Sequence, residues 1–188
     1  MGLAPTPSQT VGPYFELALP YEGGSRLVAE DDPDALRIEG TVYDGAGEPV
    51  ADALVEVWQA NRAGRYAHPE DARAEPALEE GFTGFGRCAT DADGRFWFTT
   101  VKPGPVPAPA GGAQAPHLAV GMLARGLLKR VATRMYFPDE EAANAADPLL
   151  ASIADPDLRA TLVAREVEGV LRFDVHLQGE RETAFLAD

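Results

Sequence analysis

Chemistry in this chain has to be sought among few residues. There are three histidines, His68, His117 and His176, and a single cysteine, Cys88. No H-x-H or H-x-x-x-H pair occurs, and one cysteine excludes both an internal disulfide and a cysteine-based zinc site. A G-x-S-x-G elbow and a Gly-rich phosphate loop are also missing. His117 opens an apolar run after a Pro-rich stretch and reads either as a hydrogen-bonded strand-end residue or as a ligand. His176 alternates to the outer side of its strand. His68 lies in the loop GRYAHPED two residues after Tyr66, a spacing that lets both side chains face one site.

Cationic chemistry is better represented. Arg125, Arg130 and Arg134 fall in ARGLLKRVATRMYF, with Arg125 before Gly126 at a turn. A guanidinium held there is suited to clamp a carboxylate through two parallel hydrogen bonds, and an ordinary surface ion pair is the competing reading. The stretch TPSQTVGPY, Thr6 to Tyr14, is polar and carries two prolines and a glycine. It reads either as an extended arm that touches a partner, with the Ser8 and Thr10 hydroxyls free to bond, or as a disordered terminus.

The elements that must position these residues are strands. LRIEGTVYDGAGEPVADALVEVW, Leu36 to Trp58, shows two period-two stretches around Asp44-Gly45-Ala46-Gly47. Ile38, Gly40 and Val42 share one face, as do Ala53, Val55 and Val57, with Glu56 and Trp58 opposite; antiparallel pairing of the two stretches is expected. The pattern recurs at Cys88 to Val101, where Asp91-Ala92-Asp93-Gly94 precedes Arg95 to Thr99. Further strands are expected at His117 to Ala124, Val131 to Phe137 and Leu171 to Leu177, the last with Leu171, Phe173, Val175 and Leu177 inward. Asp155 and Pro156 form a helix start, and a weaker helical tendency covers Asp139 to Leu150. Asn61 to Gly86 and the Pro-rich Lys102 to Pro116 are long irregular loops of the kind that are either functional or flexible. The fold class is all-β, a two-sheet antiparallel β-sandwich with one or two short helices.

The 188 residues, 45% hydrophobic and 24% charged, suit one globular domain. Sixteen basic against thirty acidic side chains give a net charge of -14, which excludes nucleic acid or an anionic membrane as the main partner. That acidity serves solubility, and any anionic substrate must then be held by a local arginine cluster. No apolar run reaches membrane-span length, and MGLAPTPSQT has neither a basic start nor an apolar core of a signal peptide, so the cytoplasm is the expected compartment.

Taken in order, TPSQTVGPYF, EGTVYDGAGEPVADALVEVWQANRAGRY, FGRCATDADGRFWFTTVKPG, APHLAVGMLARG and TRMYF run nearly end to end, and in that order the chain resembles the intradiol ring-cleavage dioxygenases. The resemblance implies a β-sandwich and non-haem ferric iron, held by two tyrosines and two histidines, that inserts both atoms of dioxygen into a catechol. Tyr66 in GRY and His117 match two ligand positions, whereas Val106 in KPGPV and Ala119 in HLA replace the other two with side chains that have no donor atom. This departure is similar to the family's alpha-type subunits. Such a chain holds no metal and no catalytic residue of its own, and works in a hetero-oligomer of alpha-beta pairs with an iron-bearing beta subunit, Fe(III) lying in that partner.

By the same resemblance, residues 1–35 form an arm at the partner interface and active-site wall, and 36–188 the sandwich. Thr10, Gly12, Pro13 and Arg125 are substrate-binding positions, with Tyr14 a further candidate. The substrate is a small catechol carrying a carboxylate, protocatechuate, with O2. Two other readings compete. One is a non-enzymatic β-sandwich binding module, since such turns also occur in carbohydrate-handling and adhesion domains. The other is a homomeric dioxygenase that takes iron through Tyr66, His68 and His117.

Overall fold

A computed structural model describes residues 18–186. In it the chain forms two sheets packed face to face, with three short helices at one end. The first sheet is built on β1 (Leu36–Tyr43), which pairs antiparallel with β4 (Arg95–Thr100) from Leu36↔Thr100 to Thr41↔Arg95. The second runs in the order β3 (Phe85–Ala89), β2 (Ala53–Trp58), β7 (His117–Ala124), β8 (Val131–Tyr136), every neighbour antiparallel. The Pro-rich loop carries a two-residue hairpin, β5 (Val106–Pro107) with β6 (Ala113–Gln114).

The expected strands form, but not with the expected partners. β1 and β2 lie in different sheets rather than side by side, and so do β3 and β4. Both glycine turns therefore carry the chain across the sandwich. The reason is burial: Ile38 and Val42 of β1 and Val55 and Val57 of β2 are all buried and belong to one core. A shared core between layers needs the apolar faces opposed, which adjacent strands of one sheet cannot achieve. Phe96, Phe98, Phe173 and Val175 complete the first face, Leu118, Val120, Met122, Met135 and Phe137 the second. A fully buried side chain of this size contributes about 2 kcal/mol.

The expected strand Leu171 to Leu177 is broken in two. β10 (Val170–Arg172) and β11 (Val175–His176) both lie parallel to β1, and β9 (Arg165–Val167) pairs antiparallel with β10. Between them the Asp174 carboxylate accepts the Thr41 N–H at 3.0 Å, a side chain standing in for a ladder carbonyl. Phe173 and Val175 are nonetheless buried, as the alternation predicts. His176 stacks on Tyr43 with ring centroids 4.8 Å apart.

The helical expectations hold as three short pieces: α1 (Glu141–Ala146), α2 (Pro148–Ser152) and α3 (Pro156–Ala160). Asp155 caps α3 through the N–H groups of Asp157 and Leu158, with Pro156 in the first turn where no N–H is needed. Asp147 caps α2 in the same way and does more. Fully buried, it accepts from the Leu149 and Leu150 N–H groups, from the Ala115 N–H at 2.9 Å and from the Tyr136 hydroxyl at 3.1 Å. One carboxylate thus fastens α2, the end of the Pro-rich loop and β8. Beside it His117 is buried at the start of β7, its Nδ1 2.7 Å from the Ala115 carbonyl and its ring 5.6 Å from that of Tyr136. Burial, then the Arg134 charge, push its pKa down from 6.5 to about 4, so the imidazole is neutral at pH 7.

Replacing Asp147 with Ala removes the partner of three N–H groups, those of Ala115 and Leu150 buried and that of Leu149 half-buried, and the acceptor of the Tyr136 hydroxyl proton. Stability should fall by about 3 kcal/mol or more, read from urea unfolding, and an unchanged midpoint would refute this network. His117 has a depressed folded pKa, so its contribution is intact above pH 6.5 and is lost as pH falls toward 4, where the unfolded chain is protonated and the folded one is not. Between pH 7 and pH 4 the stability gap between wild type and His117→Asn should shrink by roughly 3 kcal/mol. Parallel pH profiles for the two proteins would contradict it.

Candidate functional site

The two long loops leave the two sheets at one point. Gln59, fully buried after β2, accepts from the Thr100 hydroxyl at 2.7 Å and donates from Nε2 to the Val101 carbonyl at 2.9 Å, joining the end of β2 to the end of β4. From there the segment after Asn61 and the segment after Lys102 run against each other. Asn61 shapes the first, its Oδ1 accepting the Ala63 and Arg65 N–H groups, and its carbonyl receives the N–H of both Gly64 and Gly104. A Cβ on Gly64, whose φ is +80°, would sit 2.1 Å from the Pro105 carbonyl oxygen, and one on Gly104 2.6 Å from the Gly64 nitrogen. Only glycines let the two backbones touch this closely. The contact brings Tyr66 of one loop beside Val106 of the other.

These loops enclose a cavity of about 420 Å³ lined by Trp58, Tyr66, His68, Arg73, Val106 and Gln114 among others. Tyr66 stacks on Trp58 with centroids 5.9 Å apart and planes within 10°. His68 meets Trp58 edge-on at 6.3 Å, so Tyr66 and His68 do face one site. Asp71 accepts the Tyr66 N–H and both arms of Arg73, which holds its carboxyl well below the usual range. Burial pushes the Tyr66 phenol up, against the pull of Arg134 and Arg73.

The floor is the outer face of the second sheet. Across it Trp58, Ala119 and Arg134 stand in one cross-strand row, and His117 with Tyr136 in the next. The structure therefore gathers Tyr66, Val106, His117 and Ala119 at one end of the sandwich. As a donor set for ferric iron they fit poorly: one phenol and one imidazole remain, and among the described residues no three His, Cys, Asp or Glu side chains cluster in a way that suits a metal. Trp58 in the cavity wall and Arg134 in the same cross-strand row were not singled out for this end of the sheet by sequence reasoning. Their signal was strand parity, since both alternate with core residues.

The three arginines of one sequence segment separate. Arg130 lies over Gly121 and reaches Glu56, which also binds Arg87. Arg134 donates to the Tyr136 hydroxyl at 3.3 Å. Arg125, 73% exposed, pairs with Asp52 beyond the far end of β7. Eight residues of strand separate it from His117, roughly 26 Å at about 3.3 Å per residue, so it does not serve the Trp58 cavity. Near that far end Arg87 donates to the Leu19 carbonyl at 2.8 Å, and Leu19 packs on Leu54 and Leu123. Thr10, Gly12, Pro13 and Tyr14 lie outside the described residues.

The Dioxygenase family model matches residues 11–179. The chain is 43% identical over 199 residues to the protocatechuate 3,4-dioxygenase alpha chain of Pseudomonas putida, covering 97% of this chain and 96% of that one. It is 41% identical over 144 residues to the beta chain from Burkholderia cepacia, 76% of this chain and 57% of the other. Among solved structures, the dioxygenase domain of a carbohydrate-binding fusion from Streptomyces sp. SirexAA-E superposes with a TM-score of 0.58 at 29% identity, over 94% of this chain and 99% of that domain. The gathered Tyr66 and His117 positions, the sandwich that carries them and these matches lead to one conclusion: the chain belongs to the dioxygenase family, in its intradiol ring-cleavage class.

Proposed function

We propose that this chain is the alpha-type subunit of a protocatechuate-cleaving intradiol dioxygenase, which binds no iron itself and completes the substrate pocket of an iron-bearing beta-type partner. The observation that carries the reading is the pair Val106 and Ala119, two residues without donor atoms among four positions gathered at one end of the fold. The match to alpha chains over nearly the whole sequence supports it. When bound in the partner, ferric iron supplies the activation of a catechol toward O2; the ring bond between the two hydroxylated carbons breaks and both oxygen atoms enter the product, 3-carboxy-cis,cis-muconate.

The part left to this chain is binding and positioning, carried by the other end of β7. Arg125 is exposed there and, among the described residues, is paired with Asp52, so its guanidinium can be turned to a ligand carboxylate against the acidic field of the molecule. The first described residues of the arm lie near Arg125, since Leu19 packs on Leu123. We assign Thr10, Gly12 and Pro13 of the arm, residues 1–35, with Tyr14 as a further candidate, to one substrate wall with Arg125, a reading supported by the match to alpha chains. Gly12 and Pro13 suit it: one permits close approach to a flat ring, the other keeps the arm stiff. Among the described residues no helix is long and apolar enough to cross a membrane. A lone cysteine, Cys88, agrees with the reducing cytoplasm as the compartment.

The test is to purify the full chain alone and with a co-expressed beta-type partner. The lone chain should be colourless and inactive; the complex should carry iron, show tyrosinate-to-iron absorption and consume O2 with protocatechuate. Stoichiometric iron and ring cleavage by the lone chain would overturn the proposal. In the complex, Arg125→Ala should raise the apparent KM for protocatechuate by about tenfold or more, the worth of a charged hydrogen bond, and change that for unsubstituted catechol little. Equal changes for both would remove the carboxylate clamp.

A further inference from the structure

Arg134 is placed oddly for a surface residue of an acidic protein. It is half-buried, and among the described residues no carboxylate pairs with it. Other arginines of the same sheet are neutralised, Arg87 and Arg130 both by Glu56. Arg134 instead turns toward uncharged rings: its Nη1 donates to the Tyr136 hydroxyl, which is committed to Asp147 on its other side, and Tyr136 packs against His117. Its charge also acts on the Tyr66 phenol. The space is left by its neighbour. In the β7–β8 register Ala119 lies directly opposite Arg134, so a methyl group stands beside the guanidinium's path where an imidazole would fill it.

We propose that Arg134 is the resident cation beside this pocket: its guanidinium, held on the Tyr136 hydroxyl and opposite Ala119, takes the room that a metal ion shared by Tyr66 and His117 would need, so that restoring the two missing donors does not by itself create an iron site. The inference rests on the reading of Tyr66, Val106, His117 and Ala119 as the four ligand positions. Charge and volume act together. A fixed monovalent cation repels an incoming ferric ion at short range in a pocket of low dielectric, and a planar group hydrogen-bonded to Tyr136 occupies coordination space. Of the two carboxylates on the cavity wall, Glu70 and Asp71, the latter is already committed to Arg73.

The experiment compares three full-length chains offered iron under identical conditions: wild type, Val106→Tyr with Ala119→His, and the same pair with Arg134→Gln. Bound iron and the tyrosinate-to-iron visible band are read, with circular dichroism to certify folding. The wild type and the double variant should hold no iron, and the triple variant one ion per chain with the band, lost again on adding Tyr66→Phe. A double variant that loads iron overturns the inference, as does a folded triple variant that does not. Iron in the wild-type chain overturns the non-metal subunit reading instead. Where the grafted variants do not fold, Arg134→Ala in the otherwise native chain answers the question: methylguanidinium should restore its thermal stability while potassium chloride at equal concentration does not, and equal effects of the two salts overturn the inference.

Discussion

The pocket end of this molecule depends on Gln59. A buried amide with both ends satisfied joins the last residues of β2 and β4, one from each sheet, at the point where both long loops begin. Loss of either bond would leave a buried amide group unsatisfied, which costs far more than the bond itself contributes. With the loop origins fixed, Gly64 and Gly104 set the distance between the loops, because their missing side chains allow backbone to lie on backbone. Tyr66, Trp58 and Val106 meet as a consequence of these two constraints rather than through any strong attraction of their own.

The second sheet works as a two-sided plate. Its inner face is apolar and merges with β1 and β4; its outer face carries rows of functional groups at cross-strand spacing. One row holds Glu56 between Arg87 and Arg130, another Trp58, Ala119 and Arg134, another His117 and Tyr136. The helical end of the chain covers the last of these, through Leu150 of α2 and Leu162 just after α3, both clustered with Tyr136. β7 spans the plate and separates its two ends: buried, uncharged donors at His117 and an exposed cation at Arg125.

This separation gives the family relationship a physical meaning. On the proposed reading, a chain that lacks two donors still keeps the pocket's shape through glycine contacts and stacking, and the opposite end of β7 is what it offers to a neighbour. The acidic background bears on that role, because most of the arginines here, Arg125 included, are held by carboxylates, so an anionic ligand at Arg125 has to compete with Asp52.

Legible in the sequence were the β class, the bounds of the strands at Arg95, His117 and Val131 to within a residue, the inward sets, the Asp155 helix start and the absence of donors at Val106 and Ala119, whereas the break in Leu171 to Leu177 and the short strands β5, β6 and β9 were not. The legible features follow from local rules: period-two burial, turn chemistry, capping geometry and the atoms a side chain possesses. Strand partners were not legible, since alternation tells a strand which face to bury and not which neighbour to choose. The hairpins expected at Asp44 to Gly47 and Asp91 to Gly94 are crossings between sheets for that reason. Nor was the dispersal of Arg125, Arg130 and Arg134 visible, because five residues along a turn and strand carry a side chain to another row. It took the assembled sheets to put Trp58 in a pocket with Tyr66 and Arg134 in the same cross-strand row, and to bring Asp147, remote in sequence from His117, beside it. Those contacts join segments tens of residues apart, and their partners are chosen by the packing of two sheets and not by any pattern within one.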